Sequence, residues 1–185
     1  MTVALMLVKK QSSRLKDKNW LDFKDKPMFQ WNLEKCLKIF KKVYVSSDYE
    51  YILKIANSLG AIPLKRPLEL CGNVPNIPVY QYVLKQMMTK PDIIVAVQAN
   101  SPTIKCHLIQ LAKDIMEQDD VAELMTCHPD GKIYGSIWAL QTWALEKYDN
   151  YKSFKDNHTS VYITDTSVDI HTLEDFNKAL QIKHI

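Results

Sequence analysis

Apolar residues along the chain fall into short runs of strand length, separated by stretches with a helical period. The runs lie at 3–8 (VALMLV), 42–47 (KVYVSS), 61–64 (AIPL), 92–98 (DIIVAVQ), 121–127 (VAELMTC), 133–140 (IYGSIWAL) and 160–164 (SVYIT). Those near 3, 43 and 93 are unbroken rather than alternating, the pattern of strands buried on both faces. Pro27 stands at the start of a predicted helix in which Met28, Leu33, Cys36, Leu37 and Phe40 recur at threes and fours. Ile52, Ile55, Ala56 and Leu59 repeat that period and stop at Gly60, a C-terminal cap. Further helical periods cover 79–87 and 104–116. A last helix opens on the capping-box-like pair Thr172 and Asp175 and is predicted to bury Leu173, Phe176, Ala179 and Leu180. The stretch 140–160 predicts a short helix followed by a polar loop. Strand and helix in alternation indicate an α/β domain with a mostly parallel central sheet. With no repeat, low-complexity tract or linker, residues 1–185 read as a single domain.

Composition changes this picture little. Apolar residues make up 46% and charged residues 24%, ordinary for a globular chain. A net charge of +3 is too small to argue for nucleic acid. No apolar stretch reaches membrane-spanning length, and the N-terminus lacks the features of a signal peptide, so a cytoplasmic location with no membrane partner is expected. The four cysteines, Cys36, Cys71, Cys106 and Cys127, are scattered without a CxxC pair, which supports neither a disulfide frame nor a zinc site. Trp138, Trp143 and Tyr148 could cover an interface between two copies or belong to the core.

Charge is uneven, and that focuses attention on one loop. Residues 1–42 hold eleven of the 24 Lys and Arg against four acidic residues. The segment 9-KKQSSRLKDKN-19 follows the first buried run, where open α/β sheets bind ligands. Main-chain N–H groups, with Ser12, Ser13, Lys9, Arg14 and Lys18, suit either a di- or triphosphate cradle or a solvated basic loop. Neither GxxxxGK[ST] nor GxGxxG occurs in it.

A series of short motifs runs in register from this loop to the C-terminus. They are 12-SSRLKDKN-19, 25-DKPMFQWNLEKC-36, V-S-S-D at 45–48, the Gly60–Ala61 turn, 66-RPLEL-70, 97-VQANSP-102 and 167-SVDI-170. In this order and spacing the chain resembles the acylneuraminate cytidylyltransferases, which activate sugar acids. The resemblance implies a three-layer α/β/α Rossmann-like nucleotide-diphospho-sugar transferase fold. It also implies transfer of CMP from CTP to the anomeric hydroxyl of a sialic-acid-like or other 2-keto sugar acid, with release of pyrophosphate for surface glycan synthesis.

By that resemblance Ser12, Lys18 and Asn19 lie around the nucleotide phosphates and ribose, beside Arg14, with Lys9 replacing a family arginine. Lysine keeps the charge and loses the bidentate fork. Arg66 would sit near the cytosine, whose carbonyl oxygen and ring nitrogen both accept hydrogen bonds. Gln98 would bind the acceptor sugar. Lys18 and Asp169 would be the catalytic pair. Asp169 is the first carboxylate of a D-x-D pair that holds Mg²⁺, and His171 stands at the second position. Imidazole suits Mn²⁺ or another transition metal better than Mg²⁺. Only 128-HPDGKIYG-135 occupies the place of a longer segment that in relatives supports a homodimer and the acceptor carboxylate. A non-catalytic nucleotide- or partner-binding relative, or an enzyme for another nucleotide or acceptor, fits the same residues.

Overall fold

A computed structural model describes residues 1–12, 14–118, 121–148 and 159–183. Its seven strands are β1 (Thr2–Leu7), β2 (Val43–Ser47), β3 (Ile62–Lys65), β4 (Ile93–Val97), β5 (Val121–Cys127), β6 (Ile133–Gln141) and β7 (Thr159–Thr164). They form one sheet in the order β3-β2-β1-β4-β6-β5-β7. Only β6 runs against its neighbours β4 and β5; every other pair is parallel. The reversal follows from the turn at 128–132, where His128 N donates to Lys132 O at 2.9 Å and Gly131 takes a φ of +84°. So short a connection can only bring the chain back antiparallel.

The helices are α1 (Met28–Ile39), α2 (Glu50–Ser58), α3 (Asn76–Gln86), α4 (Cys106–Glu117), α5 (Thr142–Lys147) and α6 (Leu173–Leu180). Ala4 and Met6 of β1 pack toward α1, α2 and α4, while Val3 and Leu5 pack toward α3 and α5. This explains the unbroken apolar run: a central parallel strand meets helices on both faces. The expected three-layer α/β/α architecture is therefore the observed one.

Differences from the expected elements have local causes. α3 begins at Asn76 rather than near 79, because Pro78 lies in its first turn, where a missing N–H costs no helical bond. Leu173, predicted to be buried, is 61% exposed. It is the first helical residue of α6, and Phe176, Ala179 and Leu180 carry the packed face. The expected capping box is present, with Asp175 N donating to Thr172 Oγ1 at 3.2 Å and Thr172 N to Asp175 Oδ2 at 2.8 Å. The polar loop after α5 falls largely on residues 149–158, outside the described residues. Trp138 packs on Tyr80 and Tyr148 with ring centroids 5.9 and 6.1 Å apart, whereas Trp143 is partly exposed. All four cysteines are free thiols, and no helix of the described residues is long and apolar enough to cross a membrane.

Two polar side chains of α1 hold the loop between β4 and α4. Asn32, fully buried, donates to Gln98 O and Ser101 O, each at 2.8 Å. Lys35 donates to Pro102 O and Ile104 O at 2.7 Å and to Asn32 Oδ1 at 3.1 Å. Main-chain carbonyls that no strand or helix could pair are thereby satisfied. Burial pushes the Lys35 ammonium down from 10.5 to about 8. Because the folded value lies below the unfolded one, the unfolded chain binds more protons between these two pH values, and stability rises with pH across that window. Relative to Lys35→Met, the wild type should gain on the order of 1–3 kcal/mol from about pH 8 to pH 10 in urea unfolding, with little change below. A relative loss over that window would contradict the assignment.

Candidate active site

The segments leaving β1, β3 and β4 meet at the C-terminal side of the parallel strands and enclose a cleft. Lys9, Lys18, Asn19, Arg66, Gln98 and Asn100 line it, and the segment 70–76 ahead of α3 closes one side. The first loop is drawn inward rather than left in solvent. Asp17 adopts a left-handed φ of 57°, tolerable for a short polar side chain, and starts a 3-10 helix, Lys18–Trp20. Asn19 Nδ2 then donates to Lys9 O at 3.0 Å, and Lys10 N donates to Asp48 Oδ1 at 2.8 Å. The first bond ties the two ends of the loop together, and the second ties its start to the segment after β2. Lys9 Nζ reaches across the cleft to Gly72 O at 2.8 Å.

The remaining residues are fixed by neighbouring elements. Arg66 is buried and donates from Nη2 to Ser46 O at 2.8 Å, which leaves other guanidinium N–H groups for the cleft. Burial lowers its pKa. Gln98 N donates to Ser136 O at 2.8 Å, so β6 and Asn32 of α1 together anchor that residue. Ser12 is half-buried and Arg14 exposed on the first loop, and neither lines the cleft. Ser13 lies outside the described residues. A larger groove of about 500 Å³ beside α1 and α4, bounded by Trp31, Lys38 and His107, shares no lining residue with this cleft.

Lys18 joins the first loop to the segment before α6. Its Nζ donates to Ile170 O at 2.8 Å and stands 3.3 Å from His171 Nδ1. The other ring nitrogen of His171, Nε2, is 2.7 Å from Asp169 Oδ2, and Asn100 Nδ2 donates to Asp169 Oδ1. Ile170 N donates to Asn100 O at 2.9 Å. Around these bonds Phe23, Met28, Ile170 and Ala179 form an apolar cluster, with Phe23 packed on Phe176 at 5.5 Å between centroids. Desolvation brings the Lys18 pKa down from 10.5 to about 8, opposed by the charge of Asp169 and assisted by those of Arg14 and Lys9.

Residues 3–181 match the family model described as cytidylyltransferase. The chain belongs to the cytidylyltransferase family. A Helicobacter pylori protein, pseudaminic acid cytidylyltransferase and UDP-2,4-diacetamido-2,4,6-trideoxy-beta-L-altropyranose hydrolase, is 28% identical over 133 residues, 69% of this chain and 26% of that one. The 3-deoxy-manno-octulosonate cytidylyltransferase of Colwellia psychrerythraea is 30% identical over 118 residues, 63% of this chain and 41% of that one. The matches thus span less than half the length of either relative. Among solved structures, CMP:2-keto-3-deoxy-manno-octonic acid synthetase complexed with CTP superposes with a TM-score of 0.78 at 15% identity, over 97% of this chain and 96% of that one. A Mycobacterium tuberculosis protein in complex with manganese gives 0.72 at 14% identity, over 97% and 98%. At such identities these structures speak to the fold alone.

Beside Lys18 a divalent ion would find the carboxylate of Asp169. Among the described residues no three His, Cys, Asp or Glu side chains are grouped so that they could hold a metal ion. Asp169 is a single hard oxygen donor, adequate for Mg²⁺ when phosphate oxygens and water complete the shell. His171 already has both ring nitrogens against polar partners. Asn100, Gly72 and Asn76 also line the cleft, and no sequence signal singles them out, although Asn100 lies within 97-VQANSP-102.

Removing the buried ammonium relieves its desolvation. Lys18→Met is expected to leave stability at neutral pH unchanged or raised by about 1–2 kcal/mol in urea unfolding, while weakening any anionic ligand of the cleft at least tenfold. A stability loss of several kcal/mol would make Lys18 a structural residue instead.

Proposed function

We propose that this cytidylyltransferase transfers CMP from CTP to the anomeric hydroxyl of a sialic-acid-like or other 2-keto sugar acid. The carrying observation is the convergence of Lys9, Lys18, Asn19, Arg66 and Gln98 on one cleft, with Asp169 held beside Lys18. Relatives named for pseudaminic acid and 3-deoxy-manno-octulosonate support a sugar-acid acceptor.

In this reading the hydroxyl oxygen forms a bond to the α-phosphorus. The bond from that phosphorus to the bridging oxygen breaks, pyrophosphate leaves with the electron pair, and the hydroxyl proton passes to solvent. The transition state accumulates negative charge on phosphate oxygens, so fixed cations and alignment supply most of the acceleration. Lys9 and Lys18 face that charge. Asn19 and the N–H groups of the first loop orient phosphate and ribose, with Ser12 and Arg14 at its outer rim. Arg66 offers its spare donors to the acceptor edge of cytosine, and Gln98 receives a hydroxyl of the sugar. Asp169 would hold Mg²⁺ or Mn²⁺, which, when bound, offsets phosphate charge.

The absent second carboxylate favours one other reading, a relative that binds nucleotide without turning it over. Both readings predict a rise in Tm with CTP that exceeds the rise with ATP, GTP or UTP. Pyrophosphate release across a panel of sugar acids separates them. Turnover with at least one acid, reduced tenfold or more by Lys18→Ala and by Asp169→Ala, supports the transferase. No turnover with any acid, despite CTP binding, supports the binding protein.

A further inference from the structure

We propose that His171 bridges Lys18 to Asp169 instead of ligating a metal, and that the free protein therefore has no resident metal seat. Any divalent ion then enters as part of a metal–nucleotide complex. This rests on the nucleotide reading only for what fills the cleft; the bridge and the missing seat are properties of the free chain.

The hydrogen-bond directions argue for it. Lys18 Nζ is a donor only, so His171 Nδ1, 3.3 Å away, accepts. The hydrogen of the neutral ring then sits on Nε2, which donates to Asp169 Oδ2 at 2.7 Å. A metal ligand needs an unprotonated ring nitrogen with its lone pair free, and neither nitrogen is in that state. His171 is held where it is by its own backbone as well. His171 N donates to Asp175 Oδ2 at 3.0 Å, the same oxygen that caps α6. Asp169 is fixed from its other side by Asn100, whose backbone also holds Ile170. The result is a chain of contacts from Lys18 through His171 and Asp169 to Asn100. It brings the first loop, the end of β4 and the approach to α6 into one arrangement.

Electrostatics points the same way. The carboxylate of Asp169 lies beside the Lys18 ammonium, while the second carboxylate nearby, Asp175, is taken up by the N–H groups of His171 and Thr172. A free dication arriving there would meet the Lys18 cation and displace two hydrogen-bond donors, His171 Nε2 and Asn100 Nδ2, from Asp169. A nucleotide triphosphate changes the balance, because its oxygens supply the remaining hard ligands and offset the cations of the loop.

The test is Mn²⁺ binding to the nucleotide-free protein, read from the electron paramagnetic resonance signal of the unbound ion. Wild type, His171→Ala, His171→Gln and His171→Asp are compared, with circular dichroism confirming that each is folded. Wild type should bind Mn²⁺ no more tightly than millimolar, and His171→Ala and His171→Gln should match it within about twofold. His171→Asp, which restores a second carboxylate, should bind at least tenfold more tightly. Micromolar Mn²⁺ binding by wild type that His171→Ala abolishes would overturn the proposal, as would no gain in His171→Asp. None of these arms contains CTP. Failure of the nucleotide reading would instead appear as no Tm response to CTP in wild type.

Discussion

An ammonium group buried 152 residues away in sequence from its acceptor is the contact on which the candidate site depends. Lys18 leaves the loop after β1 and donates to Ile170 O, just ahead of α6. Taking that charge out of water opposes folding, as its lowered pKa shows. The arrangement persists because the apolar cluster of Phe23, Met28, Ile170 and Ala179 closes around it and the α6 capping box fixes the receiving segment. A group held at such expense, next to a carboxylate and lining a cleft, supports the proposed anion-binding role over a stabilising one.

The sheet supplies the platform. Parallel strands β1, β3 and β4 end on the same side, so the basic loop, Arg66 and Gln98 arrive together although 89 residues separate Lys9 from Gln98. Asn32 and Lys35 then pin the β4–α4 loop from behind, through carbonyls on either side of Asn100. Position in the fold and second-layer hydrogen bonding, rather than any single motif, make the cleft.

Much of this was legible in the sequence where the signal was physical and local. Unbroken apolar runs marked β1, β2 and β4 because both faces of those strands are covered, and Thr172 with Asp175 marked the start of α6 because capping needs those side chains at that spacing. What could not be read was whatever depended on distant partners. Asn32 and Lys35 look like solvent-facing positions of α1 until the β4–α4 loop is laid against them. Asn100 looks like a filler between Gln98 and Ser101 until Asp169 is brought to it. His171 reads as a substituted ligand in sequence, and only its two ring contacts give it another task. Leu173 shows the converse error: the helical period is right, yet the first residue of a helix need not reach the packed face.

The most direct test of the account is hydrogen–deuterium exchange of the protein with and without CTP. If the cleft is the nucleotide site, CTP should slow exchange in 9–20, 66–76 and 98–100 and leave the α1–α4 groove around Trp31, Lys38 and His107 unchanged. Protection confined to that groove, or none in the three cleft segments at saturating CTP, would contradict it.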